Sequence, residues 1–247
     1  TFVVAGAGVG MGRMTSHALV QAGAKTVVCV DVDADRAAEI AAEIGPAGVA
    51  WVGDMTTREG AKKLAADAEA INGRIDGLVD IIGMARWESI LDMTDETFDW
   101  EIDICLRHAF LLSQEFGRRM SKTGGGTMVF IASVSGLTAA PMHAAYGAAK
   151  AGLMAWVQTL AIELGSFGIR ANAVAPGTIL SPRMEAAFTD EQRALNAGNS
   201  PMGKMGSTSD IASAALFFSS DMSAYVTGRT LVVDGGVDSK FPYPVTL

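Results

Sequence analysis

Seven short runs rich in β-branched and apolar residues alternate along the chain with longer stretches of helical periodicity. Phe2–Ala5, Thr26–Val30, Val49–Val52, Gly77–Ile82, Thr127–Ala132, Ala171–Ala175 and Thr230–Val233 read as strands. Met14–Ala22, Ala34–Ile44, Thr57–Ile71, Glu96–Met120, His143–Leu164 and Ser209–Ser220 read as helices. A strand joined to the next through a helix pairs with it in parallel, and repetition of that unit builds a parallel sheet covered on both faces. The expected architecture is therefore a doubly wound α/β fold, with residues 1–247 forming one domain. No internal repeat or linker interrupts the pattern. The alternation breaks once, from Ser181 to Met205, where Pro182, Met184, Phe188, Pro201, Met202 and Met205 cluster. An insertion so late in an α/β domain is a candidate lid over a bound substrate.

Composition narrows the partners. A 49% hydrophobic and 19% charged chain buries enough apolar surface to fold. Nineteen Lys and Arg against 27 Asp and Glu leave a net charge of -8 and no basic stripe. That balance argues against nucleic acid and against an anionic membrane surface. The longest apolar helical stretch, Ala151–Ile162, is too short to span a bilayer and reads as a buried helix. Cys29 and Cys105 do not suggest a disulfide framework, so a reducing compartment is expected, and with it a cytoplasmic location. No signal peptide is visible. Thr1 already lies in an apolar run, which leaves a short preceding leader open.

The first strand runs into Gly6-Ala7-Gly8-Val9-Gly10-Met11-Gly12-Arg13 and then into a helix. The GxGxxG spacing fails here, because its sixth position is Met11 counted from Gly6 and Arg13 counted from Gly8. A triad of Gly6, Gly10 and Gly12 fits instead. Such glycines let the backbone turn sharply and approach a pyrophosphate, whose charge meets the helix N-terminus. Gly6, Val9, Gly10, Met11 and Gly12 are thus candidate contacts to a dinucleotide. Asp31 closes the second strand, where its carboxylate can accept both adenosine ribose hydroxyls and would repel a 2′-phosphate. Neither Val9 nor Val32 supplies the cation that a 2′-phosphate needs, so NAD is expected over NADP. Asp54, with Met55, follows the third strand and is a second candidate contact, to the adenine.

Tyr146 and Lys150 lie four apart in a helical stretch and so share a face. An ammonium beside a phenol stabilises the phenolate, as a general acid/base for an alcohol oxygen requires. Ser133, at the end of the preceding strand, can donate a hydrogen bond where charge develops on that oxygen. Ser133, Tyr146 and Lys150 are the candidate catalytic residues for hydride transfer between a nicotinamide and an alcohol or ketone. Met184, Phe188 and Met202 in the lid point to an apolar or cyclic substrate.

These residues, with Pro176-Gly177-Thr178-Ile179, Tyr225-Val-Thr-Gly228 and Val233-Asp-Gly-Gly236, resemble the short-chain dehydrogenase/reductase family, in its shorter single-domain branch. The resemblance covers essentially the whole chain. It implies a Rossmann-like three-layer fold with a seven-stranded parallel sheet and a homotetramer. It also implies that Lys150 holds the nicotinamide ribose, that Tyr146 exchanges the proton beside the cofactor, and that Pro176, Gly177 and the Ile179 backbone hold the nicotinamide end.

The chain departs from that pattern twice. The family's Asn-Asn-Ala-Gly is here Asp80-Ile81-Ile82-Gly83, where only Gly83 keeps its place as a backbone contact. The family's catalytic Asn aligns with Cys105. Its main-chain carbonyl, implied to hold a relay water to Lys150, survives any substitution. Its side chain holds a helix distortion, a role not expected of a thiol, so Cys105 reads as a core residue. His108, three after Cys105, lacks the further ligands of a metal site, and none is expected. His143 reads as a substrate contact or as a surface or capping residue. Gly147, Ala148, Ala151 and Gly152 form a small-residue stripe expected at a subunit interface. Two alternatives to a dehydrogenase are an epimerase or dehydratase with transient hydride transfer, and a silent NAD-binding scaffold.

Overall fold

The computed structural model describes residues 1–240; 241–247, the end of the expected domain, lie outside the described residues. Strands β1 (Phe2–Ala5), β2 (Val27–Asp31), β3 (Gly48–Val52), β4 (Gly77–Asp80), β5 (Gly126–Ile131) and β6 (Ile169–Pro176) are joined by helices. These are α1 (Gly10–Gln21), α2 (Ala34–Glu43), α3 (Arg58–Asn72), α4 (Asp95–Ile102), α5 (His108–Met120) and α6 (Ala144–Leu164). After β6 come β7 (Ile179–Leu180), α7 (Pro182–Ala187), α8 (Asp190–Asn199), β8 (Gly206–Ser207), α9 (Thr208–Ser219) and β9 (Thr230–Val233). Seven strands form one parallel sheet in the order β3-β2-β1-β4-β5-β6-β9.

Side chains alternate across this sheet with the two-residue period of a strand. Val3, Ala5, Val28, Val30, Leu78, Met128 and Phe130 pack with α3, α5 and α6 on one face. Val4, Val27, Cys29, Val79, Val129 and Ile131 pack with α1, α2 and α9 on the other. Strand order reverses between β1 and β4, and the crevice beyond their carboxyl ends is where ligands bind in such sheets. No helix among the described residues is long and apolar enough to cross a membrane.

Two expected elements differ. The strand expected over 77–82 ends at Asp80, because the chain there turns away to frame the crevice. The single helix expected over 96–120 is α4, one π-helical turn at Asp103–Arg107, and α5. The irregular 181–205 stretch contains α7 and α8, and a two-stranded ribbon of β7 with β8 closes its base. Thr189 and Gln192 form a capping box that starts α8.

Candidate active site

The turn after β1 is built for close approach. Gly6 and Gly10 have φ of 82° and 61°, a region that favours glycine. A Cβ on Gly12 would lie 1.9 Å from the Gly6 carbonyl oxygen, so only glycine lets α1 start this near the strand. Val9 sits at the N-cap, nearly half exposed, with no side chain capping the helix amides. The first amides of a helix have no partner within it, and an N-terminus without a side-chain cap fits a pyrophosphate. Met11, in the first turn of α1, packs partly against the core.

Gly8, which lies outside the triad, is as constrained as the triad itself. Its amide donates to Asp31 Oδ2 at 3.1 Å, and a Cβ there would lie 2.5 Å from the same oxygen. The Asp33 amide holds Oδ1 at 3.0 Å, so the Asp31 carboxylate is fixed at the end of β2. The nearby cations are engaged elsewhere. Arg13 pairs with Glu43, and Arg36 lies 3.4 Å from Asp33. Asp54 accepts from the Thr56 amide and hydroxyl at 2.8 and 2.7 Å, which fixes it at the rim after β3. The Met55 side chain is 2% exposed and belongs to the core, so any contact this residue makes to a cofactor uses its backbone.

At the other end of the crevice, Lys150 is buried, and its Nζ donates to the Ile131 carbonyl at 2.7 Å. The Nζ lies 5.8 Å from the centre of the Tyr146 ring. Gly83 backs this ammonium so closely that a Cβ would lie 2.7 Å from Nζ, which gives a steric reason for a glycine there. Ser133 Oγ accepts the Ser135 amide at 3.1 Å, leaving its own proton free to donate. Pro176 is buried at the end of β6. A Cβ on Gly177 would lie 2.7 Å from Asp234 Cβ, so its size is set by the loop after β9. Ile179 is 7% exposed, and its carbonyl accepts the Ser181 amide at 2.9 Å. The 181–205 segment begins over the glycine turn: a Cβ on Gly10 would meet Ser181 and Pro182 at 3.7 and 3.8 Å. Met184 and Phe188 are half-buried, whereas Met202 is 66% exposed.

The two departures become legible here. Asp80 Oδ1 accepts the Ile82 amide at 3.2 Å, and Oδ2 lies 2.9 Å from His108 Nε2, both side chains being buried. This is an ion-pair distance without the straight N–H···O line of a good hydrogen bond, and Nδ1 has no partner among the described residues. His108 therefore spans from α5 to β4. Among the described residues no three His, Cys, Asp or Glu side chains gather as metal ligands.

Cys105 makes a contact not expected of a thiol. The helix distortion is present, and the thiol sits within it, its Sγ 3.3 Å from the Met84 carbonyl. Burial pushes this thiol up, against the pull of Lys150, so it keeps the proton that it donates. The contact ties the π turn to the segment behind Lys150, although the core burial expected of Cys105 is also found.

Three rings line the mouth. His143 lies 4.8 Å from Trp87, edge to face, and 5.5 Å from Tyr146. Neither Trp87 nor Glu101, which accepts the Arg86 amide, is marked by any motif, because both gain meaning only from residues distant in the chain.

A family model described as enoyl-(acyl carrier protein) reductase matches residues 6–238. An L-rhamnose 1-dehydrogenase (NAD(P)(+)) of Azotobacter vinelandii is 36% identical over 245 residues, 96% of this chain and of that one. An NAD-dependent glycerol dehydrogenase of Listeria innocua is 33% identical, over 96% of this chain and 93% of the other. The solved structure of a short-chain type dehydrogenase/reductase from Mycobacterium ulcerans matches with a TM-score of 0.90 at 27% identity, over 96% of this chain and 88% of that one. The chain belongs to the short-chain dehydrogenase/reductase family. It is an oxidoreductase of CH–OH groups that works with a nicotinamide cofactor.

Proposed function

We propose that the chain is an NAD(H)-dependent dehydrogenase interconverting a secondary alcohol and a ketone on a cyclic, hydroxyl-bearing small molecule, with Tyr146 as the acid/base. The observation that carries this reading is the buried Lys150, fixed by the Ile131 carbonyl and backed by Gly83, one helical turn from Tyr146. A fixed ammonium there stabilises negative charge on the Tyr146 oxygen. The phenolate accepts the substrate hydroxyl proton during oxidation, and the phenol returns it during reduction. Ser133 donates its free proton to the substrate oxygen and orients it. When bound, the oxidised nicotinamide accepts the hydride. Lys150, whose ammonium has donors left after Ile131, would hold the nicotinamide ribose, and the open α1 amides would hold the pyrophosphate.

The fixed Asp31 carboxylate, with Arg13 and Arg36 both engaged, supports NAD over NADP. As for the substrate, the family model's description names an acyl-carrier chemistry, whereas two relatives are named for rhamnose and glycerol. Indole and imidazole rings at the mouth, with unpartnered polar atoms beside them, favour a ring carrying hydroxyls. The half-buried Met184 and Phe188 suit that ring's apolar faces. A cytoplasmic location is supported by two free, buried cysteines.

The test is a panel of cyclic and acyclic secondary alcohols and polyols, followed by nicotinamide absorbance with NAD and with NADP. NAD-dependent turnover is expected for the wild type. Tyr146→Phe should lose about 10²-fold or more in kcat while still binding NADH by fluorescence. Unchanged turnover in Tyr146→Phe removes the mechanism, and a preference for NADP removes the Asp31 argument.

A further inference from the structure

His143 sits at the N-cap of α6, yet its side chain caps nothing. The residue before it, Met142, has a φ of 62°, in the left-handed region where a non-glycine residue is strained by on the order of 1 kcal/mol. That turn brings the imidazole between Trp87 and Tyr146. Nδ1 lies 3.3 Å from Ser135 Oγ, and the Ser135 amide donates to Ser133 Oγ, so the ring is linked to the candidate catalytic serine. Nε2 is buried and has no partner among the described residues. A buried ring nitrogen left unpaired costs free energy unless a ligand completes it.

Glu101 adds a second, independent observation. It is fully buried, its Oε1 accepts the Arg86 amide at 2.5 Å, and its Oε2 has no partner among the described residues. Its charge acts on His143, although burial outweighs it and holds the imidazole below its ordinary value, in the neutral form. A neutral ring with Nδ1 engaged offers one donor or one acceptor at Nε2, which suits a hydroxyl. The Glu101 carboxylate disfavours a substrate carboxylate or phosphate in the same place.

We propose that His143 is a specificity-determining residue, whose Nε2 binds a second hydroxyl next to the reacting carbinol. The substrate class is then an uncharged cyclic vicinal diol, or the corresponding α-hydroxy ketone. Trp87, more than half exposed, offers the indole on which the ring stacks. This rests on the function proposed above and deepens it.

The experiment compares kcat/KM with NAD for cis- and trans-cyclohexane-1,2-diol and for cyclohexanol. Wild type should prefer a diol by about tenfold or more, the discrimination expected when a site built for a hydroxyl meets an analogue without it. His143→Phe keeps a ring in the stack and should cut the diol-to-cyclohexanol ratio by about tenfold, whereas His143→Gln should keep most of it. A merely structural role would lower both substrates together and leave the ratio unchanged, which overturns the proposal. Equal use of diol and cyclohexanol by wild type also overturns it and leaves the dehydrogenase reading intact. If wild type turns over no secondary alcohol in the wider panel, the dehydrogenase reading fails and this proposal falls with it.

Discussion

Asp80 and His108 show how a single position can be rebuilt around a different chemistry. A carboxylate at the end of a central strand, 2% exposed, needs compensation, and His108 supplies it from the next layer at 2.9 Å. Removing one partner of a buried pair leaves the other uncompensated, at a cost of about 3–5 kcal/mol. His108→Leu should therefore lower Tm by about 10 °C in calorimetry, given about 2–4 °C per kcal/mol for a chain of this size. The double variant with Asp80→Leu should recover most of the loss, since two apolar side chains can replace a buried pair at little net cost. A single variant that melts within about 2 °C of wild type would mean that the contact contributes little to stability. The same scale explains which residues could be read directly from the sequence. Tyr146, Lys150, Ser133 and the glycine turn carry their chemistry in short local spacings. Gly8 matters because of Asp31, 23 positions away, and Asp80 because of His108, so neither constraint is visible in a local window.

At the scale of elements, the strand and helix alternation was legible nearly throughout, since the two-residue and 3.6-residue periods are distinct. The π turn at Asp103–Arg107 was not, because one extra residue in a turn leaves the apolar periodicity of the flanking helices almost intact. The 181–205 segment was legible only as irregular, since α7 and α8 bury none of their residues fully and so show no apolar stripe. The π turn places Cys105 where its proton reaches the Met84 carbonyl, and this contact joins α4 and α5 to the segment backing Lys150. Cys105→Asn keeps a donor at that point and should leave kcat/KM at or above the wild-type value. Cys105→Ala loses the donor. At about 1 kcal/mol for a lost hydrogen bond, it should lower kcat/KM roughly fivefold in steady-state assays. An Asn variant as impaired as the Ala variant would show that the thiol has a role beyond this contact.

For the whole molecule, the long helix α6 presents two different faces. Gly147 and Gly152 of the small-residue stripe serve the chain itself: a Cβ on the first would lie 2.8 Å from the Ser135 carbonyl, and on the second 3.1 Å from Leu106. Ala148 and Ala151 are exposed and continue through Ala155 to Ile162, which is 83% exposed. The spacing keeps these four on one side of the helix, and none of them is charged. Beside them, the Ser135–Ala140 turn and α6 enclose a groove of about 340 Å³. An uncharged stripe running some 21 Å along a helix, at 1.5 Å per residue, is costly to leave in water and is readily covered by a second copy of the same helix. We therefore predict that the chain assembles through α6. Sedimentation equilibrium should give a mass near four times the 25.7 kDa chain, in keeping with the homotetramer that the family resemblance implies. Ala151→Arg would place a charge at the centre of that contact and should reduce the assembly to dimers or monomers. A wild-type protein that sediments as a monomer would remove the interface, and a tetramer untouched by Ala151→Arg would move it to another face.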